Sequence, residues 1–188
     1  MFKRLVLTAL LAGAATLGTA TAASAVSVTY YSGYTEGAGG LTFSGPYDPH
    51  NISAFNSAVD PDFPGGAVSF GANLTGTIDV ASTGNYTFDY GSDDADYVFI
   101  DGTLEGSEPG PHGYYGSSFT ELLTAGFHSV DFQYYNSFCC GASLNLDLPA
   151  GVTLVPEPAD WTLLLVGFGI LGATARVANR RRLSVTAS

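Results

Sequence analysis

The stretch GNYTFDYGSDDADYVFIDG, Gly84 to Gly102, decides how the chain is read. Its first half alternates with period two. Tyr86, Phe88 and Tyr90 share one face, and Asn85, Thr87 and Asp89 share the other, the pattern of a half-buried strand. Its second half, Tyr97–Asp101, is an apolar strand that runs into Asp101-Gly102, a dipeptide suited to a tight hairpin turn. Between the halves, Asp93, Asp94 and Asp96 crowd into four positions. Carboxylates that close repel one another, so something must supply positive charge.

No basic side chain is at hand. The six Lys and Arg residues all stand near the ends, at Lys3, Arg4, Arg176, Arg180, Arg181 and Arg182. From Val26 to Val155 there are fifteen Asp or Glu and neither Lys nor Arg. A body so acidic offers no footprint for nucleic acid. Counter-charge must come from outside the protein, or the aspartates must cap a turn and stay solvated.

The same alternation recurs further along. In FHSVDFQYYN the inward set is His128, Val130, Phe132 and Tyr134, which makes His128 a satisfied core residue rather than a base. In ASLNLDL, Leu144, Leu146 and Leu148 alternate with Ser143, Asn145 and Asp147. Further strands are expected at Val26–Tyr31, Ala67–Phe70, Leu74–Val80 and Phe119–Leu123. Ser32–Gly40 and Leu104–Gly116, rich in Gly, Pro and Ser, are expected as surface loops carrying Tyr34, Tyr114 and Tyr115. Short strands separated by glycine-rich turns, with no helical periodicity, predict an all-β fold, an antiparallel β-sandwich or barrel. About 130 residues suffice for one such domain with a real core.

Both ends lie outside that domain, which is expected over residues 26–154. Residues 1–25 have a basic start, an apolar run from Leu5 to Leu17 and a small-residue close at Ala23-Ser24-Ala25, the marks of a secretory signal peptide for signal peptidase. At the other end, Pro156 and Pro158 bracket Glu157 and exclude a helix there. Trp161 then opens an uncharged segment, 161–175, that Arg180-Arg181-Arg182 stops on the cytoplasmic side. Fifteen uncharged residues fall short of the roughly 20 that a permanent span needs, which favours transient inner-membrane insertion. GFGILG, Gly167–Gly172, matches a dinucleotide pattern without its strand or acidic partner, so it is no nucleotide site. Residues 183–188 form a short tail.

Pro156-Glu157-Pro158, Trp161, the GFG-containing span and the arginine cluster, in that order, resemble the PEP-CTERM sorting signal of Gram-negative bacteria. That resemblance, over residues 155–182, implies export, recognition by an exosortase-type membrane protease, and delivery to the cell surface or matrix. The family's hosts typically make exopolysaccharide and biofilm.

The body carries its own resemblance. The run NYTFDYGSDDADYVFIDG, then LLTAGFHSVDFQYYN and ASLNLDL, is similar to the protective-antigen-type β module, also found in yeast flocculation adhesins and attached to bacterial glycosidases. In its sugar-binding members two adjacent aspartates joined by a cis peptide hold a Ca2+ ion, and the ion chelates neighbouring sugar hydroxyls. The resemblance implies Asp93 and Asp94 as those ligands, with Asn136, from the loop Asn136–Gly141, as the asparagine the family supplies. Ca2+ is a hard cation that prefers carboxylate and carbonyl oxygens, and it would cancel the repulsion between them.

That loop also holds the two cysteines, Cys139 and Cys140. In an oxidising compartment they form either a strained vicinal disulfide or two reduced buried thiols. Catalysis is not expected, since neither a G-x-S-x-G elbow nor an H-E-x-x-H pair occurs, and an EF-hand fails because Val98 and Phe99 fall where an oxygen ligand and a glycine are required. The expectation is an exported protein that binds Ca2+ and extracellular polysaccharide. The alternative is a structural, exopolysaccharide-associated matrix protein with no specific ligand, its acidic surface serving solubility.

Overall fold

The computed structural model describes residues 25–59, 63–65, 68–137, 141–156 and 168. Among them are ten strands: β1 (Val26–Gly37), β2 (Gly40–Ile52), β3 (Phe70–Val80), β4 (Gly84–Asp93), β5 (Asp96–Ile100), β6 (Thr103–Glu108), β7 (Tyr115–Leu123), β8 (Gly126–Asn136), β9 (Ser143–Asp147) and β10 (Val152–Leu154). All pairings are antiparallel. The larger sheet runs β2-β1-β3-β8-β5-β6, and the smaller runs β7-β4-β9. The expected β-sandwich is the fold observed. No helix among the described residues is long and apolar enough to cross a membrane.

The alternating strands bury the faces expected of them. Phe88 and Tyr90 of β4 and Leu144 and Leu146 of β9 close from one side on Val130, Phe132 and Tyr134 of β8 and on Leu74 and Ile78 of β3. Asp101 and Gly102, both at positive φ, form the two-residue turn between β5 and β6. That is the geometry tight hairpins require.

β3 is shared along one edge. Its first half pairs with β1, so that Val26 lies opposite Gly76, and its last residues pair with β10, so that Leu154 lies opposite Ile78. The first and last strands thus meet end to end on one neighbour.

Two expected loops are in part strands. Residues 32–37 continue β1 and pair with β2 through a register shift between Tyr31 and Gly33. Residues 104–108 belong to β6 and pair with β5. β2 and β6 lie at the two edges of the larger sheet, and of residues 32–37 and 104–108 only Gly106 is buried, so these sequences carry no buried face to alternate. Pro46 and Pro49 are tolerated in β2 for the same reason, because an edge strand need not donate from every residue. The expected break between Ala67–Phe70 and Leu74–Val80 is also absent: one strand, β3, begins at Phe70.

The shift at Tyr31/Gly33 has a structural result. Beyond it the β1–β2 hairpin packs over the outer face of the larger sheet, where Leu41, Tyr97 and Tyr135 form a second small core with Tyr34, Phe43 and Phe99. Tyr34 stacks on Tyr135 with ring centroids 4.4 Å apart, and Leu41 N–H donates to Gln133 Oε1 at 2.7 Å. Glu36 near the hairpin tip accepts from the hydroxyls of Tyr97 and Tyr135 and from Gly110 N–H.

Candidate functional site

At one end of the sandwich, β4 stops at Asp93, β5 begins at Asp96, and β8 ends at Asn136. The peptide bond between Asp93 and Asp94 is cis. The short link between β4 and β5 is therefore clamped from several directions. Ser92 Oγ donates to the Asp94 carbonyl, and Tyr134 Oη donates to the Asp93 carbonyl. Asp94 is buried, and its side chain accepts three hydrogen bonds from two distant segments. Its Oδ1 accepts from His112 N–H at 2.9 Å, while its Oδ2 accepts from Ser137 N–H at 2.6 Å and Ser137 Oγ at 2.7 Å.

Asn136 is wholly buried. Its Nδ2 donates to the Val68 carbonyl, which fixes the orientation of the amide. Its Oδ1 is left buried without a hydrogen-bond donor among the described residues. Asp96, also wholly buried, accepts from Glu108 N–H through Oδ1 and leaves Oδ2 unpartnered. Orphaned buried acceptors are rare in folded proteins because each forfeits a hydrogen bond it had with water.

The electrostatics agree with this accumulation of oxygen. Burial and the charge of Asp94 push the Asp93 carboxyl up from its ordinary range, against the opposing pull of Tyr114 N–H and His112. Burial pushes Asp96 up to about 6, although Ser92 and Glu108 N–H favour its charged form. Burial and the charges of Asp93 and Asp94 raise the Tyr134 hydroxyl.

His112 is a group able to carry positive charge that counting Lys and Arg alone overlooks. Its Nδ1 lies 3.0 Å from the Gly113 carbonyl and its Nε2 3.2 Å from the Glu108 carbonyl. Two acceptors on two ring nitrogens suit the doubly protonated ring. Burial opposes that charge, but the two carbonyls, Asp96 and Asp94 outweigh it and raise the pKa.

The structure thus brings Asp93, Asp94 and Asn136 to one corner, Asn136 preceding the Ser137 that holds Asp94. A Cβ added at Gly141 would stand 3.9 Å from Asp93 Oδ2, so the chain returns to the corner there. Ser137, His112 and the burial of Asp96 went unread in the sequence. Nothing local signals them, since their contacts join segments 18 and 43 residues apart. Among the described residues no three His, Cys, Asp or Glu side chains gather as a metal cluster. The groups able to hold an ion are instead a carboxylate pair and an amide oxygen, a hard-oxygen set that fits Ca2+ and not a soft metal. Of the sorting residues, Pro156 is described, whereas Glu157, Pro158, Trp161, Arg180, Arg181 and Arg182 lie outside the described residues, as do Cys139 and Cys140.

No protein-family model matches the chain, and no curated protein does. Solved structures do. A GH31 α-xylosidase from Xanthomonas citri matches with a TM-score of 0.50 at 16% identity over 71% of this chain. A PA14 sugar-binding domain from an RTX adhesin matches with a TM-score of 0.49 at 18% identity, covering 72% of this chain and 94% of that domain. A β-glucosidase from Kluyveromyces marxianus matches with a TM-score of 0.46 at 16% identity over 72% of this chain. The chain corresponds to only 16% of the length of each glycosidase. At these identities the likeness is one of fold, and the chain shares its antiparallel sandwich with a segment of the xylosidase.

Proposed function

We propose that this chain is an exported, non-catalytic carbohydrate-binding domain that holds Ca2+ at the Asp93–Asp94 corner. Asp93, Asp94 and Asn136 would hold the ion. When bound, it would supply a Lewis-acidic centre for adjacent sugar hydroxyls. The chain's own contribution is rigidity: Ser137 and His112 N–H orient the Asp94 carboxylate, and Val68 orients the Asn136 amide. The observation that carries the proposal is the Asn136 Oδ1, buried without a donor among the described residues, on the residue that precedes the Ser137 clasping Asp94, in a body without Lys or Arg.

Millimolar Ca2+ is expected to raise the melting temperature, and Asp94→Asn to abolish the rise. A ligand at a hundredfold its dissociation constant stabilises the folded state by about 2.7 kcal/mol. Screening of fifteen carboxylates also stabilises, so Mg2+ is the control, since its compact octahedral demands suit a different cage. Equal responses to Ca2+ and Mg2+, unchanged by Asp94→Asn, would reduce the corner to a capped turn. A polysaccharide array with and without chelator reads the sugar step.

Delivery is assigned to the tail. Replacing Glu157 and Trp161 together is expected to hold the protein in the inner membrane instead of the cell surface or matrix. Equal surface delivery of variant and parent removes the sorting assignment.

A further inference from the structure

A second binding feature lies on the outer face of the smaller sheet, a cleft of about 440 Å³ whose lining includes Asp89, Tyr114, Gly116, Ser118, Asn145 and Asp147. Its floor follows from the register. Gly91 lies between Gly116 on β7 and Asn145 on β9. Two glycines side by side leave the sheet bare of side chains there, and the depression results. The Tyr114 hydroxyl reaches over that gap, 3.1 Å from where a Cβ at Gly91 would stand, and the residue is 58% exposed. One row away, Asp89 lies between Ser118 and Asp147.

Asp89 and Asp147 therefore face each other directly across the β4–β9 ladder, both exposed. Opposed residues on antiparallel strands stand about 4.5–5.5 Å apart at Cβ, and like charges so placed destabilise the pair. Neither carboxylate has a hydrogen-bond or ion-pair partner among the described residues, and the body offers no Lys or Arg to serve both. The cleft is far larger than a bare metal ion requires and falls within the size range of small-molecule sites. Its remaining lining is serine, asparagine, glycine and two tyrosines, Tyr90 and Tyr114.

We propose that this cleft binds a cationic amino sugar within a polysaccharide chain. The ammonium group would sit between Asp89 and Asp147, the ring would lie against Tyr114, and its hydroxyls would meet Ser118 and Asn145. Anionic sugars are excluded by the two carboxylates. The site shares no residue with the Ca2+ corner, so the two assignments stand or fall in separate measurements.

The test is calorimetric titration of the protein with a β-1,4-linked glucosamine tetramer, at a mildly acidic pH where the sugar amines are protonated. The N-acetylated tetramer and a lysine tetramer are the comparisons. Binding is expected for the glucosamine tetramer, with the N-acetylated form at least about tenfold weaker. Asp89→Asn with Asp147→Asn is expected to cost about tenfold as well, while Asp79→Asn with Glu121→Gln, which removes equal charge outside the cleft, leaves affinity within about twofold. Affinity that is the same in Ca2+-free, chelator-treated buffer separates this site from the Ca2+ corner. Equal binding of the lysine tetramer, or equal losses from both double substitutions, would show that net charge alone is read and would overturn the assignment. So would undiminished binding of the N-acetylated tetramer.

Discussion

Asp101 illustrates how one side chain can hold several elements in this sandwich. It sits at φ +49° in the β5–β6 turn, and its Oδ1 accepts from Ser129 N–H at 2.8 Å and Ser129 Oγ at 3.2 Å. Its Oδ2 lies 2.6 Å from His128 Nδ1, and His128 Nε2 lies 2.9 Å from the Thr124 carbonyl. His128 keeps the inward side expected of it, opposite Ile78 of β3 with its side chain nearly buried, and it is satisfied there by a carboxylate and a carbonyl. The hydrogen bonds to Asp101 and to the Thr124 carbonyl raise the His128 pKa against burial. Burial pushes Asp101 up, but His128 and Ser129 outweigh it and the net shift is down. Two signs follow. The His128 contribution is complete below its unfolded pKa of about 6.5 and is lost as pH rises through the raised folded value. The Asp101 contribution is complete above its unfolded pKa of about 3.9 and is lost as pH falls through the lowered folded value. The pair therefore stabilises most between about pH 4 and 6.5. Proton NMR is expected to show His128 titrating above the ordinary histidine value, and Asp101→Asn to bring it back down; an unmoved titration would mean the ring is not held by the carboxylate.

At the scale of elements, β6 approaches the smaller sheet closely at Gly106. A Cβ on Gly106 would stand 2.7 Å from the Tyr90 ring and 2.9 Å from the Phe119 ring. Tyr90 is buried in the core, so the rings cannot simply move aside. Gly106→Ala is expected to destabilise by about 1–3 kcal/mol through overpacking. Gly39→Ala, where nothing lies within 4 Å, is expected to change stability by less than about 0.5 kcal/mol. Urea unfolding of both variants decides the matter, and equal effects would remove the packing argument. This contact was not legible in the sequence, because β6 is an edge strand and Gly106 reads there as a loop residue. β4, β8 and β9 were legible because each has one buried and one wetter face, so period two survives in the residue types. The Asp93–Asp94 pair could be located for a similar reason: it interrupts a readable strand. The groups that hold it, Ser137 and His112, come from other elements and have no pattern of their own.

Across the whole molecule the dominant fact is charge of one sign. Fifteen acids share the body with no Lys or Arg, and self-repulsion of that kind weakens a compact state. Monovalent salt is therefore expected to raise the melting temperature steadily as the screening length falls from about 30 Å at 0.01 M to about 10 Å at 0.1 M. A fall with salt would show that ion pairs such as His128–Asp101 outweigh the repulsion. The absence of tryptic sites from Val26 to Val155 also predicts that trypsin leaves this segment whole even after denaturation, and any internal fragment in a mass spectrum would contradict it. The meeting of β1 and β10 on β3 has a mechanical consequence. Val26 and Leu154 are opposite residues only two apart on one strand, roughly 7 Å along it. Whatever precedes the domain and whatever follows it leave from the same patch of its surface. The acidic corner, at the Phe70 end of β3 where Asn136 is its partner, lies six residues from Gly76, about 20 Å along the strand. Held by either terminus, the domain pivots on the same hinge point with that corner carried away from its attachment.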